Sequence, residues 1–433
     1  MSGHIAEPTV LRRLAGMLQR PVAPADRQRA RLHLLDWIGC AIAGAREEVG
    51  KAFCDQKNVL ADVFRWGALG NILEMDDVDK RAILHCGPSI IPAALALAGQ
   101  ASGDRLLDAI VRGYEATIRL GRACGPAHYA TWHSTATCGP IGSAAAAATM
   151  LGADEDELCR AMSLGVSQAA GFWQTRHEAA SAGKQLHTAH AARAGVDAAR
   201  LAMAGLTGPL SILEGEQGFF AAMCPDGDPQ AVLADYGESW LIHQVSFKPW
   251  PACRHAHPAI DAALLARAAG HDGTSVERVE VVSYQDAIKF CDRPQPNSVV
   301  ESKFSLQHAV AITLLKGKPG LMDFSIPAIS DPATAALRKK VHVAAGSPYS
   351  DDYPARFGAE IRLHGADGEI SVYKVPDALG DPENPLSENG ILEKAVGLLQ
   401  AGGLSKSEAS DLADAVLGLN AERMPAAVME ALP

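Results

Sequence analysis

The feature that most constrains this chain is a stretch, from its start to about residue 270, in which alanine and glycine recur at helical spacing. Its segments contain few β-branched residues, and this composition favours helix over strand. Gly152 and Gly205 each follow such a segment and predict the C-terminal caps of helices. Because small side chains allow helix axes to approach closely, the sequence predicts a compact helical bundle with short connections. The clearest helical segments are 88–101, 140–151 and 185–204.

The pattern changes beyond residue 270. Residues 276–284 alternate as a strand does, and residues 359–364 and 369–374 flank the turn 365–368 as the arms of a hairpin would. Helical patterns occur in this part and again near the C-terminus, at 302–316, 332–340, 388–400 and 405–419.

The length of 433 residues exceeds the size at which one hydrophobic core usually stops growing, so two domains are expected. We predict a mainly α fold with a large all-helical domain and a smaller α+β domain. The large domain covers residues 1–270 and is rejoined by 390–433, and the smaller domain covers residues 271–389.

The acidic composition excludes several classes of partner. The formal net charge is -11, and no block rich in lysine and arginine interrupts it. This pattern predicts a protein that binds neither nucleic acid nor an anionic membrane surface. Residues 1–8 lack a basic segment followed by an apolar one, and no apolar run approaches the ~20 residues needed to span a bilayer. We therefore expect a soluble, cytoplasmic protein.

The cysteines and histidines do not follow a familiar metal-binding spacing. The nine cysteines contain no C-x-x-C pair, and an odd number without a secretion signal fits reduced, mostly buried thiols. The histidine pairs 187/190 and 255/257 lack the H-E-x-x-H pattern of a zinc protease. Neither a phosphate-binding loop, nor a dinucleotide-binding glycine motif, nor a serine-hydrolase elbow is present. The sequence predicts no metal and no cofactor.

Cationic groups stand directly ahead of small-residue helices. Histidine-bearing loops occur at 85–88, 133–140 and 254–258, and Lys184 follows Gly183 where another long helix is predicted to begin. Helix N-termini present unpaired N–H groups and the positive end of the helix dipole, so they favour anions. Additional cations there are unfavourable unless a negative ligand arrives. We infer a binding site for a small polyanion.

Each candidate residue also has a simpler interpretation. The four acids within 74–79 could form a solvated helix end, although apolar flanks and the following His85 favour a partly buried turn. His133 could be a packed residue beside helix-capping hydroxyl groups. Lys184 shares a helix face with His187 and could instead extend to solvent.

Six segments of the chain form a recognisable series. They are 34–44 (LLDWIGCAIAG), 75–77 (MDD) with His85, 132–135 (WHST), 183–187 (GKQLH), 247–251 (FKPWP) with Arg254 and His255, and 302–306 (SKFSL). Together, and in this order from about residue 30 to 320, they resemble successive signatures of the MmgE/PrpD family. The family includes 2-methylcitrate dehydratase, cis-aconitate decarboxylase and iminodisuccinate epimerase.

This resemblance implies a large helical domain, a smaller α+β domain, a homodimer, and a cofactor-free site between the domains. By position, the residues that it implies as catalytic are Asp76, Asp77, His85, His133 and Lys184. Those that it implies for substrate binding are Glu74, Lys248, Arg254 and His255. We add His308 as a substrate-binding candidate, although this sequence departs from the family pattern there.

The sequence departs from the family pattern at several points, and these departures bear on the substrate. Glu74 stands where aspartate is common, Val78 where threonine is common, and His308 where a tyrosine is usual. The segment between residues 53 and 66 is shorter than usual, and His85 follows the acidic pair slightly later.

The chemistry of the family requires proton transfer at a carbon beside a carboxylate or imine, while cations stabilise the developing charge. We expect a metal-independent lyase of the dehydratase type that acts on a small tricarboxylate such as 2-methylcitrate or a relative. One alternative is an epimerase of a dicarboxylate such as iminodisuccinate, in which His308 would be the second proton carrier. His308 could equally be a residue of a capped helix without that role. Another alternative is a cis-aconitate-type decarboxylase. A carboxylate-binding protein without activity is a further alternative.

Overall fold

The computed structural model describes residues 7–99, 101–178, 181–235, 237, 239–422 and 426–433. Residues 1–6, which belong to the N-terminal stretch considered above, lie outside the described residues. The described chain divides into two compact units. The first comprises the described residues of Met1–Ile72, Asp76–Val245 and Ser387–Pro433, and the second comprises Leu73–Met75 and Ser246–Leu386.

The described residues form 21 α-helices and one four-stranded sheet, so the predicted mainly α fold with a smaller α+β part is confirmed. The helices are α1 (Val10–Leu18), α2 (Pro24–Gly44), α3 (Glu48–Cys54), α4 (Asp62–Leu69), α5 (Gly87–Leu95), α6 (Gly103–Ala123), α7 (Pro126–Thr131), α8 (Ser134–Leu151), α9 (Glu155–Val166), α10 (Gly183–Met203), α11 (Phe219–Met223), α12 (His257–Ala268), α13 (Gln285–Cys291), α14 (Val299–Lys303), α15 (Leu306–Lys316), α16 (Ile326–Ser330), α17 (Pro332–Arg338), α18 (Tyr349–Asp352), α19 (Glu388–Ala401), α20 (Lys406–Leu417) and α21 (Ala426–Glu430). The strands are β1 (Val276–Ser283), β2 (Val341–Ala345), β3 (Ala359–Gly365) and β4 (Ile370–Val375).

Helix α8 is central to the core of the first unit. It packs against α5, α6, α9 and α10, and every residue from Ser134 to Met150 is buried. Two glycines make this packing close. A Cβ atom on Gly142 would come closer than 3.0 Å to the carbonyl oxygen of Gly113 in α6, and one on Gly195 in α10 would come equally close to the backbone of Ser143. The small residues therefore set the spacing of these three helices.

The ends of α8 and α10 show where the local prediction succeeded and where it was wrong. Gly152 ends α8 in the left-handed conformation, with φ of +79°, and Gly205 follows α10 with φ of +94°, so both predicted caps are confirmed. The predicted helix start at Pro140 was wrong, because α8 begins at Ser134 and contains Pro140. Burial of the whole helix outweighs the hydrogen bond that an internal proline loses.

The sheet of the second unit has the strand order β2-β1-β3-β4. Strand β1 pairs parallel with β2 and antiparallel with β3, and β3 and β4 form the predicted hairpin. Strand β2 was not predicted, because this short, largely exposed edge strand has little alternation. The helix predicted over 302–316 is interrupted at Phe304, and the hydroxyl group of Ser305 accepts a hydrogen bond from the amide of His308 to start α15.

Helices α12 and α15 pack against each other and against the sheet, and their apolar residues form the core of the second unit. Helix α12 therefore belongs with the sheet, although its sequence pattern matches that of the preceding helices. The proposed domain limits at residues 270 and 389 remain a prediction, because the units describe contacts and not independent folding. None of the described helices has the length and apolar character needed to cross a bilayer.

The close packing around α8 predicts opposite effects for two glycine substitutions. We expect Gly195→Ala to lower the free energy of unfolding by roughly 1–3 kcal/mol, because the added methyl group overlaps the Ser143 backbone. Gly397→Ala is the matched control, since Gly397 is exposed in α19 and its Cβ would meet nothing within 4 Å. We expect that variant to gain about 0.5–1 kcal/mol from helix propensity. Urea unfolding measures both, and equal effects would contradict the packing argument.

Candidate functional site

The structure places histidine or lysine residues at or just before the starts of four helices, as the sequence predicts. His133 is the N-cap residue of α8, and Lys184 is the second residue of α10. His85 lies two residues before α5, and His255 lies in a 3₁₀ turn that leads directly into α12. The first three belong to the first unit, and His255 belongs to the second.

The partly buried His85 contacts the buried carboxylate of Asp76 in the first unit. The Nδ1 atom of His85 lies 2.8 Å from Oδ2 of Asp76 and 3.1 Å from the carbonyl oxygen of Asp77. The amide of Asn71 donates to the same Asp76 oxygen at 2.8 Å, and the backbone N–H of His85 donates to Thr135 Oγ1 at 3.0 Å. With the Nδ1 proton directed to Asp76, Nε2 is the ring atom that can gain or lose a proton. The carboxylate also stabilises the imidazolium form of this histidine.

Asp77 has a different environment. Its carboxylate accepts hydrogen bonds from His33 Nδ1 at 2.7 Å, Tyr114 OH at 2.6 Å and the Gly87 amide at 2.8 Å. Burial alone would raise the pKa of Asp77, but these donors outweigh it and lower the pKa. Burial lowers the pKa of His33 to about 4, so His33 donates as a neutral ring. The Asp77 side chain thus fixes the start of α5, and the backbone carbonyl group of Asp77 orients His85.

His133 and His187 form a pair of neutral imidazoles. Their Nδ1 atoms are 3.1 Å apart, and the His133 ring stacks on Trp173 with the ring centres 4.4 Å apart. Burial lowers the pKa of His133 well below 6.5, and the charges of His187, Lys184 and His85 lower it further. Burial also lowers the pKa of His187. His133 is therefore neutral near pH 7 and can accept a proton.

Lys184 is half-buried in the first turn of α10, one turn before His187. Its charge lowers the pKa of His133, so the two side chains lie within electrostatic range of each other. A cation in the first turn of a helix is opposed by the helix dipole. An anion bound beside Lys184 would remove this unfavourable interaction.

In the second unit, two buried lysines contact the segment that contains Glu74. Glu74 has a left-handed backbone, with φ of +58°, which is rare for a residue with a side chain. Its Oε2 atom lies 3.9 Å from Nζ of Lys248, and Nζ of Lys303 donates to the carbonyl oxygen of Leu73 at 3.3 Å. Lys248 and Lys303 are only 1% and 4% exposed. Lys303 was not predicted as a site residue, because nothing in the sequence marks a lysine as buried.

Arg254 has a buried guanidinium group that does not use all of its hydrogen-bond donors. Its Nη2 atom lies 2.5 Å from Oδ1 of Asp381, and Asp381 also accepts a hydrogen bond from the hydroxyl group of Ser246. Nε and Nη1 of Arg254 have no hydrogen-bond partner in the part of the chain that the structure describes. Buried donors of this kind are rare in folded proteins. A carboxylate matches the fork of a guanidinium group in both charge and geometry.

His255 lies inside an aromatic cluster of the second unit. Its ring stacks on Phe290 and Phe357, with the ring centres 5.0 and 5.7 Å away. Its Nδ1 atom is 2.8 Å from the hydroxyl group of Tyr284. Burial lowers the pKa of His255 to about 4, so the ring is neutral. These contacts describe a packed residue, and its role in substrate binding remains a prediction.

His308 is also enclosed, in α15 of the second unit. Its Nε2 atom is 2.8 Å from the carbonyl oxygen of Asp323, and its Nδ1 atom is 3.3 Å from Nη1 of Arg338. Both ring nitrogens therefore contact neighbouring protein groups. The structure does not join His308 by a hydrogen bond to Glu74 or Lys248, and its predicted role remains open to test.

The buried neutral histidines predict how stability depends on pH. The pKa values of His33 and His255 are lowered to about 4 in the folded protein, whereas a histidine in the unfolded chain has a pKa of about 6.5. Between these values the unfolded chain binds more protons, so stability rises with pH. We expect the free energy of unfolding to fall as the pH is lowered from about 7 to about 4, by up to roughly 3 kcal/mol per histidine. Urea unfolding at constant ionic strength measures this, and a flat profile between pH 7 and 5 would contradict it.

The chain matches the models of both domains of one protein family. Residues 55–232 match the MmgE/PrpD N-terminal domain, and residues 250–420 match the MmgE/PrpD C-terminal domain.

Curated relatives of the chain carry two kinds of enzyme name. This chain is 27% identical over 405 residues to cis-aconitate decarboxylase of Homo sapiens, and the aligned region covers 85% of this chain and 82% of that protein. It is 27% identical over 421 residues to a cis-aconitate decarboxylase-like protein of Aspergillus oryzae, with 86% of each chain covered. It is 28% identical over 222 residues to 2-methylcitrate dehydratase of Salmonella typhimurium, covering 49% of this chain and 45% of that protein. The similarity therefore extends over most of the chain for the first two proteins and over about half for the third.

Proposed function

The chain belongs to the MmgE/PrpD family, and we propose that it is a lyase of the dehydratase type that acts on a small tricarboxylate such as 2-methylcitrate or a relative. The relatives are named as decarboxylases and dehydratases, which supports a lyase of this general kind. The observation that carries the proposal is that Nδ1 of His85 contacts the carboxylate of Asp76, while His133 is buried and neutral. His85 has a carboxylate partner that would stabilise its imidazolium form, and His133 is neutral, as an acid and a base require.

In the proposed reaction, His133 acts as the base. When its Nδ1 donates to His187, its Nε2 holds a lone pair that can take the proton from the carbon beside a carboxylate. The electrons of the broken C–H bond form the carbon–carbon double bond as the hydroxyl group leaves the neighbouring carbon. The imidazolium of His85, stabilised by Asp76, gives the proton that converts the leaving group to water. The low pKa of His133 then favours release of its proton to solvent. His85 takes up one proton from solvent in return, which restores both histidines with no net change in protons.

The cations have the role of binding carboxylates in this scheme. Lys184 would bind one with the N-terminal amides of α10, as the helix dipole favours. Arg254 offers the Nε and Nη1 donors described above, and Lys248 provides a buried ammonium group. Such groups also stabilise the negative charge that develops when the proton is removed. Asp77 would act by positioning, through its contacts with His33 and Gly87.

Decarboxylation is the second candidate reaction. The observation that favours it is that the proteins named for cis-aconitate decarboxylation match 85% and 86% of this chain, against 49% for the dehydratase. Carbon dioxide would then leave in place of water, and an imidazolium would deliver a proton to the carbon that it leaves. The epimerase alternative depended on His308 as second proton carrier, and the contacts of both its ring nitrogens do not support that role. A homodimer in the cytoplasm remains a proposal drawn from the family resemblance.

Product analysis tests the reaction. We expect a tricarboxylate incubated with the protein in a short assay with chelator to lose water, because side chains carry every proton in the proposed scheme. NMR spectra of a panel of citrate-like and aconitate-like acids in heavy water distinguish dehydration, decarboxylation, inversion and simple binding. A product that keeps the full substrate mass with inverted stereochemistry would contradict the lyase. Loss of turnover with chelator that added metal restores, while the melting temperature stays unchanged, would contradict the metal-independent mechanism.

Two substitutions separate binding from catalysis. We expect Lys184→Ala to weaken substrate binding by about 1.5–3 kcal/mol, the size of a charge-assisted contact, with little effect on folding. Lys406→Ala is its matched control, since Lys406 occupies the first turn of α20 and is exposed. His133→Ala should lower kcat by about 10²–10⁴-fold and change affinity less. Unchanged affinity with a large loss of stability in Lys184→Ala would show that Lys184 is structural.

A further inference from the structure

Three metal-ligating side chains converge in the first unit at a place that the proposed reaction does not use. Cys124 caps the end of α6, His128 lies in α7, and Cys138 lies in α8. One ligand atom from each lies within 4.8 Å of the others, and all three residues are buried. Sequence analysis did not single out this group, because Cys124 and Cys138 are not a C-x-x-C pair, although all three residues lie within the segment 124–138.

The distance between the two sulfur atoms suits a tetrahedral metal ion. Sγ of Cys124 lies 3.7 Å from Sγ of Cys138. Two thiolates bound to one zinc ion at about 2.3 Å with tetrahedral angles would be about 3.8 Å apart. The backbone therefore already places the thiols at the separation that the ion requires. A disulfide would instead need the sulfur atoms to approach to about 2.05 Å.

The hydrogen bonds of His128 orient its ring as a ligand. Its Nδ1 atom lies 3.0 Å from the carbonyl oxygen of Met223 and 3.4 Å from Sγ of Cys224. A metal-bound histidine commonly donates its other ring N–H to a backbone carbonyl, which fixes the tautomer and leaves Nε2 for the metal. Here Nε2 lies 2.8 Å from the hydroxyl group of Thr137, the neighbour of Cys138. The imidazole thus has a supporting contact at Nδ1, and its Nε2 atom lies beside the hydroxyl group of the residue that precedes Cys138 in the chain.

We propose that Cys124, His128 and Cys138 bind a structural zinc ion. Binding is a coordination step without oxidation or reduction: the two sulfur atoms bind as thiolates, neutral His128 binds through Nε2, and two protons leave the site in total. The ion would join the end of α6 to α7 and α8. Since α8 begins just after His133, it would also hold the backbone of that histidine. The proposal does not depend on the proposed reaction.

Metal analysis of the full-length protein, produced without a histidine tag, tests the proposal. We expect about one equivalent of zinc per chain after gel filtration, and two protons released per ion when zinc is added to metal-free protein. Cobalt in place of zinc should give thiolate-to-cobalt charge-transfer absorption and the visible bands of a tetrahedral ion. A protein that contains almost no zinc and gives no such spectrum after incubation with either metal would overturn the proposal. Intact mass that shows a disulfide between Cys124 and Cys138 in this protein would do the same.

Matched variants keep the result specific. Cys138→Ser should lose most of the zinc and melt at a lower temperature. Cys159→Ser removes an equally buried thiol from α9 and should keep its zinc. Equal zinc content in the two variants would contradict the site, and the cobalt spectrum of the unmodified protein remains informative if Cys138→Ser does not fold. These measurements report metal content and not turnover, so their failure is distinguishable from failure of the proposed reaction.

Discussion

The close packing of α8 between α6 and α10 is the constraint on which the first unit depends. Gly142 and Gly195 stand where a larger residue would overlap a neighbouring backbone, so these helices approach only because the residues are small. This approach buries α8 along nearly its whole length, including its N-terminal turn. His133 at that turn therefore lies inside the protein, where it meets His187 of α10. The histidine pair is a consequence of helix packing.

Burial then determines the protonation states. A buried imidazole without an ionised partner loses the solvation of its charged form, so His133 is neutral. A buried carboxylate stays ionised where donors surround it, as they surround Asp77. His85 differs from His133 because it contacts the carboxylate of Asp76. The two histidines of one unit thus have different partners, and the proposed reaction assigns the acid to His85 and the base to His133 on that ground.

Much of the local structure could be predicted because it depends on local preferences. The small-residue helices, the glycine caps, the hairpin of β3 and β4 and the cations at helix starts all follow from neighbouring residues. The wrong or missing predictions have tertiary causes. Pro140 lies within a helix because close packing compensates for the hydrogen bond that the proline loses, and β2 gains its strand conformation from pairing with β1. Lys303 gave no signal, because burial of a lysine depends on what the chain places around it.

By itself, the sequence determined that small-residue helices form most of the first unit and that a histidine or lysine stands at several helix starts, since helix propensity and capping act over a few residues. Only the tertiary structure decided which side chains meet. His133 and His187 are 54 residues apart, and His33 and Asp77 are 44 residues apart. Cys124, His128 and Cys138 converge from three helices. The physical reason is that hydrogen-bond partners, burial and the resulting pKa shifts depend on distances in space, which are set by how the small-residue helices pack.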